Sequence, residues 1–215
     1  MITDLAGAPL GSTARSPLRT ASTLAAGLVG GCALGIAARA WMRLISDDPE
    51  FTWSGTLFIV GGFTIFGLAQ SIVAIARRRQ PRRWQLTIVR AVGAVAMLPL
   101  FVAAGGVMLP TVLGGGLARA RTDWRPVTRV LWLLLAAGPV LFVGLDLVDS
   151  FGWSLHTLAG FAAMLAVYTA IIWATRFTFA PQADGWRLSR RAKLLVPGFV
   201  ALSVSILLLV NVGVG

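Results

Sequence analysis

The chain has 215 residues, 57% of them hydrophobic and only 13% charged, yet it carries a formal net charge of +11. A soluble domain is about 25% charged, so a soluble enzyme or binding domain does not account for this composition. The basic excess is arginine except for Lys193, set in short runs between apolar segments. That is the pattern of membrane topology rather than of nucleic-acid binding.

Single residues narrow the chemistry further. The one cysteine, Cys32, allows no intramolecular disulfide, and the one histidine, His156, allows no paired-histidine ligation. Neither a cofactor nor a metal is expected.

Residues 1–20 are polar and read as a cytoplasmic, poorly ordered tail; residues 21–215 read as one polytopic transmembrane domain. Arg15 and Arg19 precede an apolar run, as in a signal peptide, and Cys32 sits in a loose lipoprotein-like box. The run continues well past Cys32 and is long enough to span, which favours a retained signal anchor over a cleaved leader.

Segment one runs from about Thr23 to Ile45. Gly27, Gly31, Gly35, Arg39, Arg43 and Asp47 recur every four residues in it, so on a helix they form one row. The glycines predict close helix packing, within the bundle or against a second copy. Arg43 lies about 5 Å below the outer surface and Arg39 about 10 Å, at 1.5 Å per residue. Arg43 can snorkel to the headgroups. Arg39 leans inward and needs a partner. Asp146 and Asp149 sit at matching depth and are the expected carboxylates. Asp47, Asp48 and Glu50 form an outer acidic turn around Pro49.

Segment two runs from about Trp53 to Ala76 and ends in the densest basic cluster, Arg77, Arg78, Arg79, Arg82 and Arg83. The region from Trp84 to Ala118 is too long for one ordinary span and short for two. Gly105-Gly106 is a candidate hairpin tip, Gly114-Gly115-Gly116 a candidate helix end, and Pro99 and Pro110 permit breaks. Clear segments follow at Val127–Val148 and Trp153–Thr175. A basic stretch with Arg187, Arg190, Arg191 and Lys193 comes next, then a last apolar segment from Leu194.

Charge decides the ambiguous region. If Trp84–Ala118 crosses once, the basic loops at 119–129 and 176–193 both face outward, against the positive-inside rule. If it goes in and comes back, both fall inside with Arg77–Arg83. The expectation is therefore an all-α integral membrane protein of the cytoplasmic membrane. It is a bundle of about seven segments, six clear and one (about Val107–Ala120) short or re-entrant, with its N-terminus inside and its C-terminus outside. Trp41, Trp53 and Trp153 would mark the outer interface, and Trp84, Trp124, Trp132 and Trp173 the inner one.

Other constellations are weak. Asp146, Asp149 and His156 straddle a turn at Gly152, and Ser154 with His156 lacks a third triad member. No phosphate loop, H-E-x-x-H or dinucleotide fingerprint occurs. The basic runs, including the interfacial stretch around Trp186 and Leu188, suit anionic headgroups on the inner side. Two functions follow: a non-catalytic membrane subunit or scaffold, with a membrane-protein partner or a homo-oligomer, and a small permease or channel using Arg39, Asp146 and Asp149. An intramembrane enzyme is the weakest reading.

Overall fold

The computed structural model describes residues 17–46, 51–79, 82–103 and 106–181. These are all helical: α1 Pro17–Leu44, α2 Trp53–Arg79, α3 Arg83–Val95, α4 Leu98–Ala103, α5 Leu109–Ala120, α6 Pro126–Phe151 and α7 Leu155–Phe179. Five stretches are long and apolar enough to cross a membrane, namely α1, α2, α6, α7 and the joined α3–α4 unit from Trp84 to Val102. The last expected segment, from Leu194, lies outside the described residues, as do Asp47, Asp48, Glu50, Arg187, Arg190, Arg191 and Lys193.

α1 and α2 form an antiparallel pair in near-backbone contact. A Cβ on Gly31 would lie 2.5 Å from the Phe63 carbonyl oxygen, and one on Gly35 would lie 2.8 Å from the Val60 Cα. Gly27 faces Gly67 and Ser71 in the same seam. Without a hydrophobic drive between helices in lipid, this close approach is what small residues provide. The seam lies inside the chain, as internal packing predicts.

The Trp84–Ala118 region breaks where its prolines and glycines direct. The ring of Pro99 would meet the carbonyl of Val95, four residues back, and α3 ends at Val95. The turn at Ala96–Met97 follows, and α4 resumes with the Met97 carbonyl accepting from Leu100 N–H at 3.0 Å. Gly106 closes the far end, its N–H donating to the Phe101 carbonyl at 2.8 Å. Its φ of +76° lies in the left-handed region that glycine enters at no steric cost. Pro110 sits in the first turn of α5, where its missing N–H costs nothing.

α5 has 12 residues, about 18 Å of helix, too short for a bilayer core of about 30 Å. The three glycines do not end it as expected. They lie in mid-helix because each admits a neighbour: Gly114 meets the Trp132 carbonyl, Gly115 the Ile172 side chain, and Gly116 Thr175 and Phe179.

Side-chain contacts fix the direction of each helix. Gly93 of α3 lies against Val73 and Thr178, and Gly116 of α5 lies against Phe179. Arg83 follows closely on the end of α2 at Arg79, and Gly116 lies by the last turn of α7, so both ends of the 83–120 unit lie at the end of the bundle where α2 and α7 finish. Its middle reaches Gly62 through Pro99 and Ala136 through Thr111, whose hydroxyl donates to that carbonyl at 2.8 Å. The unit folds back on itself as a hairpin.

The main core gathers Phe63, Phe66, Met97, Met164, Val112 and Ile171. A smaller cluster holds Ala118, Trp124 and Trp132. Depth alone placed the tryptophans together in belts; facing separates them. Trp53, Trp84, Trp153 and Trp173 are exposed, whereas Trp41, Trp124 and Trp132 are buried. Trp41 meets Tyr168 edge-on with ring centroids 5.9 Å apart.

Candidate functional site at the arginine-rich end

The helix ends sort into two groups. At one end lie the start of α1, the ends of α2, α5 and α7, and the starts of α3 and α6. A helix leaves its last carbonyls without intrahelical partners, and they carry partial negative charge. Here arginines from neighbouring helices supply the donors. Arg77 of α2 donates to the carbonyls of Ala180 and Pro181 at 3.2 and 2.9 Å. Arg90 of α3 donates through Nε to the Thr178 carbonyl at 2.6 Å. Arg129 of α6 does the same for Ala118, at the end of α5, at 3.0 Å.

A buried amide continues this network inward. Gln70, 4% exposed, donates to the Gly93 carbonyl at 3.1 Å and accepts from the Thr178 hydroxyl at 2.7 Å. Three helices, α2, α3 and α7, are thereby joined at one point. Arg121, just past α5, lies within Coulombic reach of Arg77 and Arg90. Its Nε is buried without a hydrogen-bond partner, and its guanidinium stands 5.8 Å from the Trp124 ring. Among the described residues no carboxylate forms an ion pair with Arg77, Arg90, Arg121 or Arg129. The arrangement is made of donors and positive charge. It suits carbonyls and anions.

The opposite end is different. Arg39 is half-buried and its Nε donates to Thr56 Oγ1 on α2 at 3.3 Å. Asp146 and Asp149 are exposed on α6, while α1 packs on α2 and α7. The structure does not bring these acids to Arg39. Depth matched them, but helix order separates them laterally. Arg43 is exposed and stands over the Phe51 ring at 5.4 Å. His156 lies tilted against Phe151, with ring centroids 5.6 Å apart. Ser154 caps α7, accepting from Thr157 N–H at 3.1 Å, which accounts for that serine without a triad.

The basic cluster after α2 divides. Arg77 is turned inward to α7. Arg78 and Arg79 are exposed and donate to Thr23 and Thr20 of α1 at 3.4 Å each. Arg82 is exposed, and its backbone N–H donates to Gln85 Oε1 at 3.1 Å. Arg83 opens α3.

Two cavities are relevant. A groove of about 770 Å³ lies between α1, α2 and α7 and reaches no further along α1 than Ala37. A second space beside Trp41 and Tyr168 is about 10 Å³, the lower limit for one water. Neither is walled by Arg39, Asp146 or Asp149.

Arg90, Gln70 and Thr178 were not apparent as site residues from the sequence. Arg90 was the available signal, a lone charge inside the apolar run after Trp84. Comparison with known proteins finds no protein family, no curated protein and no solved structure that matches the chain.

Proposed function

We propose that the chain is a non-catalytic, multi-pass subunit or scaffold of the cytoplasmic membrane, with the arginine-rich end inside and the C-terminus outside. The count is seven segments, with α5 as the short arm of a re-entrant hairpin and residues from 194 onward as the last crossing. The positive-inside rule supports this orientation, since Arg77–Arg79, Arg119, Arg121, Arg125, Arg129 and Arg176 share one end.

The observation that carries the scaffold reading is the separation of these charges: Arg39 donates to Thr56 on α2, while Asp146 and Asp149 are exposed on α6. A permease built on Arg39, Asp146 and Asp149 needs a wet path past them. Here α1 packs mainly on α2 and α7, and the two acids stand on α6, away from Arg39. What the chain presents outward instead is apolar helix surface and short loops, the raw material of a membrane-embedded contact.

Affinity isolation of the tagged, full-length protein in mild detergent tests the reading. A stoichiometric membrane-protein partner, or a defined homo-oligomer, is the expected result. A lone monomer that conducts solute when reconstituted, and loses conduction with Arg39→Ala, would replace the scaffold reading with the transport one.

A further inference from the structure

α1 and α7 meet at one end of the bundle and part toward the other. They touch where Trp41 meets Tyr168 and where Ile45 reaches Gly160. Below that point α1 turns a run of small exposed residues, Ala26, Gly30, Ala33 and Ala37, toward the opening. Phe66 of α2 and Ala174 of α7 supply the rest of the apolar wall. Gly30 has open space where a Cβ would stand, unlike Gly27 and Gly31 of the α2 seam.

The reach of the groove is apolar apart from Gln70 and Ser71 and ends in a polar mouth. Ser22, Thr23, Arg78 and Arg176 line it. Arg176 is held in place by stacking, its guanidinium 3.6 Å from the Trp173 ring centroid and 4.5 Å from that of Phe177. Arg78 spends one nitrogen on Thr23 at 3.4 Å. Among the described residues no carboxylate pairs with either arginine. Two positive charges and two hydroxyls thus stand together over an apolar cleft.

The dimensions select the occupant. From Ser22 to Ala37 the groove follows fifteen residue steps of α1, about 22 Å at 1.5 Å per residue. One leaflet, headgroup region included, is about 20–22 Å thick, half of a bilayer of about 40–45 Å. The volume of about 770 Å³ falls among those of small-ligand sites, about 300–1,000 Å³. We propose that this groove binds one phospholipid with an anionic headgroup, its phosphate between Arg78 and Arg176 and an acyl chain along the Ala26–Ala37 wall. Guanidinium and phosphate match in charge and in planar, two-point geometry.

The full-length protein, purified in mild detergent, is exposed to vesicles of phosphatidylglycerol or of phosphatidylcholine, and retained lipid is read by native mass spectrometry. One phosphatidylglycerol per chain is expected, held more tightly than phosphatidylcholine. Arg78→Gln with Arg176→Gln should weaken phosphatidylglycerol about 30-fold, from about 1 kcal/mol per arginine near the surface at 1.4 kcal/mol per tenfold. Arg119→Gln with Arg125→Gln, two exposed arginines of the same end outside the groove, should change it less than about three-fold, because neither lines the groove and attraction over a longer range is screened by salt. Gly30→Leu should fill the cleft and expel both lipids while the thermal midpoint holds. Equal loss from the two arginine pairs would reduce the effect to surface charge and overturn the proposal. So would full retention by Gly30→Leu, competition by soluble glycerol phosphate as strong as by intact lipid, or a dimer that Gly30→Leu dissolves.

Discussion

Arg90 and Thr178 are 88 residues apart in the chain and joined by a 2.6 Å hydrogen bond from the guanidinium Nε to a backbone carbonyl. The bond fastens the third helix to the last turn of the seventh. Hydrogen bonds to charged groups contribute about 1.5–3 kcal/mol, and here the acceptor also carries the negative end of a helix dipole. Arg90→Ala should lower stability in detergent by an amount in that range. Arg90→Lys should recover only part of it, because an ammonium on a flexible stem does not reproduce the rigid fork. Thermal midpoints of the two variants against wild type make the comparison; an unchanged midpoint for Arg90→Ala would remove the fastening role.

Beside that bond, the Gln70 amide and the Thr178 hydroxyl form a buried pair whose members cannot be removed singly without loss. Thr178→Val leaves the Gln70 oxygen buried without its donor, at about 1–3 kcal/mol. Gln70→Leu strands the Gly93 carbonyl and the threonine together. The double variant should cost less than the sum, with a coupling of about 0.5–3 kcal/mol. A double-mutant cycle on thermal or denaturant stability reads this directly, and additive losses would deny the pair.

Glycines of the first helix should divide sharply by the space around them. Gly31→Ala puts a methyl 2.5 Å from a carbonyl oxygen, so α1 and α2 must separate along their whole seam. Gly30→Ala meets nothing within 4 Å and gains helix propensity, up to about 1 kcal/mol. The first should destabilise and the second should be neutral or stabilising. Similar behaviour of the two in a melting assay would contradict the seam.

Arg39 should couple to Thr56 and not to the acids of α6. Arg39→Ala combined with Asp146→Asn is expected to be additive within about 0.5 kcal/mol, as for sites without shared partners. Combined with Thr56→Val it should fall short of additivity. Coupling to Asp146 instead would restore the pairing inferred from depth.

Orientation is read by reporter fusions. Fusions after Arg129 and after Lys193 should both report the inside. An outside signal at both would mean that residues 84–118 cross the bilayer instead of folding back.

What could be read from the chain beforehand depended on whether a signal was local. The glycine row was visible because its four-residue spacing lies within one helix, and the breaks at Pro99 and Gly106 because those residues act on their own backbone. The arginine clusters marked helix ends for the same reason. Arg90 was missed because its partner is a backbone carbonyl, which every residue possesses and no residue type announces. The Arg39–Asp146 match failed differently. Depth follows from counting residues, but lateral position depends on which helices are neighbours, and complementary charge does not supply that. Trp41 and Trp132 show the same gap: their depth was legible and their facing was not.

The hairpin of α3, α4 and α5 has unequal arms, a 19-residue apolar stretch from Trp84 to Val102 and a 12-residue return. The shorter arm has the closer neighbours, since Gly114, Gly115 and Gly116 leave no room for a Cβ against α6 and α7. The fit of the whole hairpin therefore rests on its smaller half: swelling at these three positions would unseat the return while leaving the outgoing arm's own contacts in place.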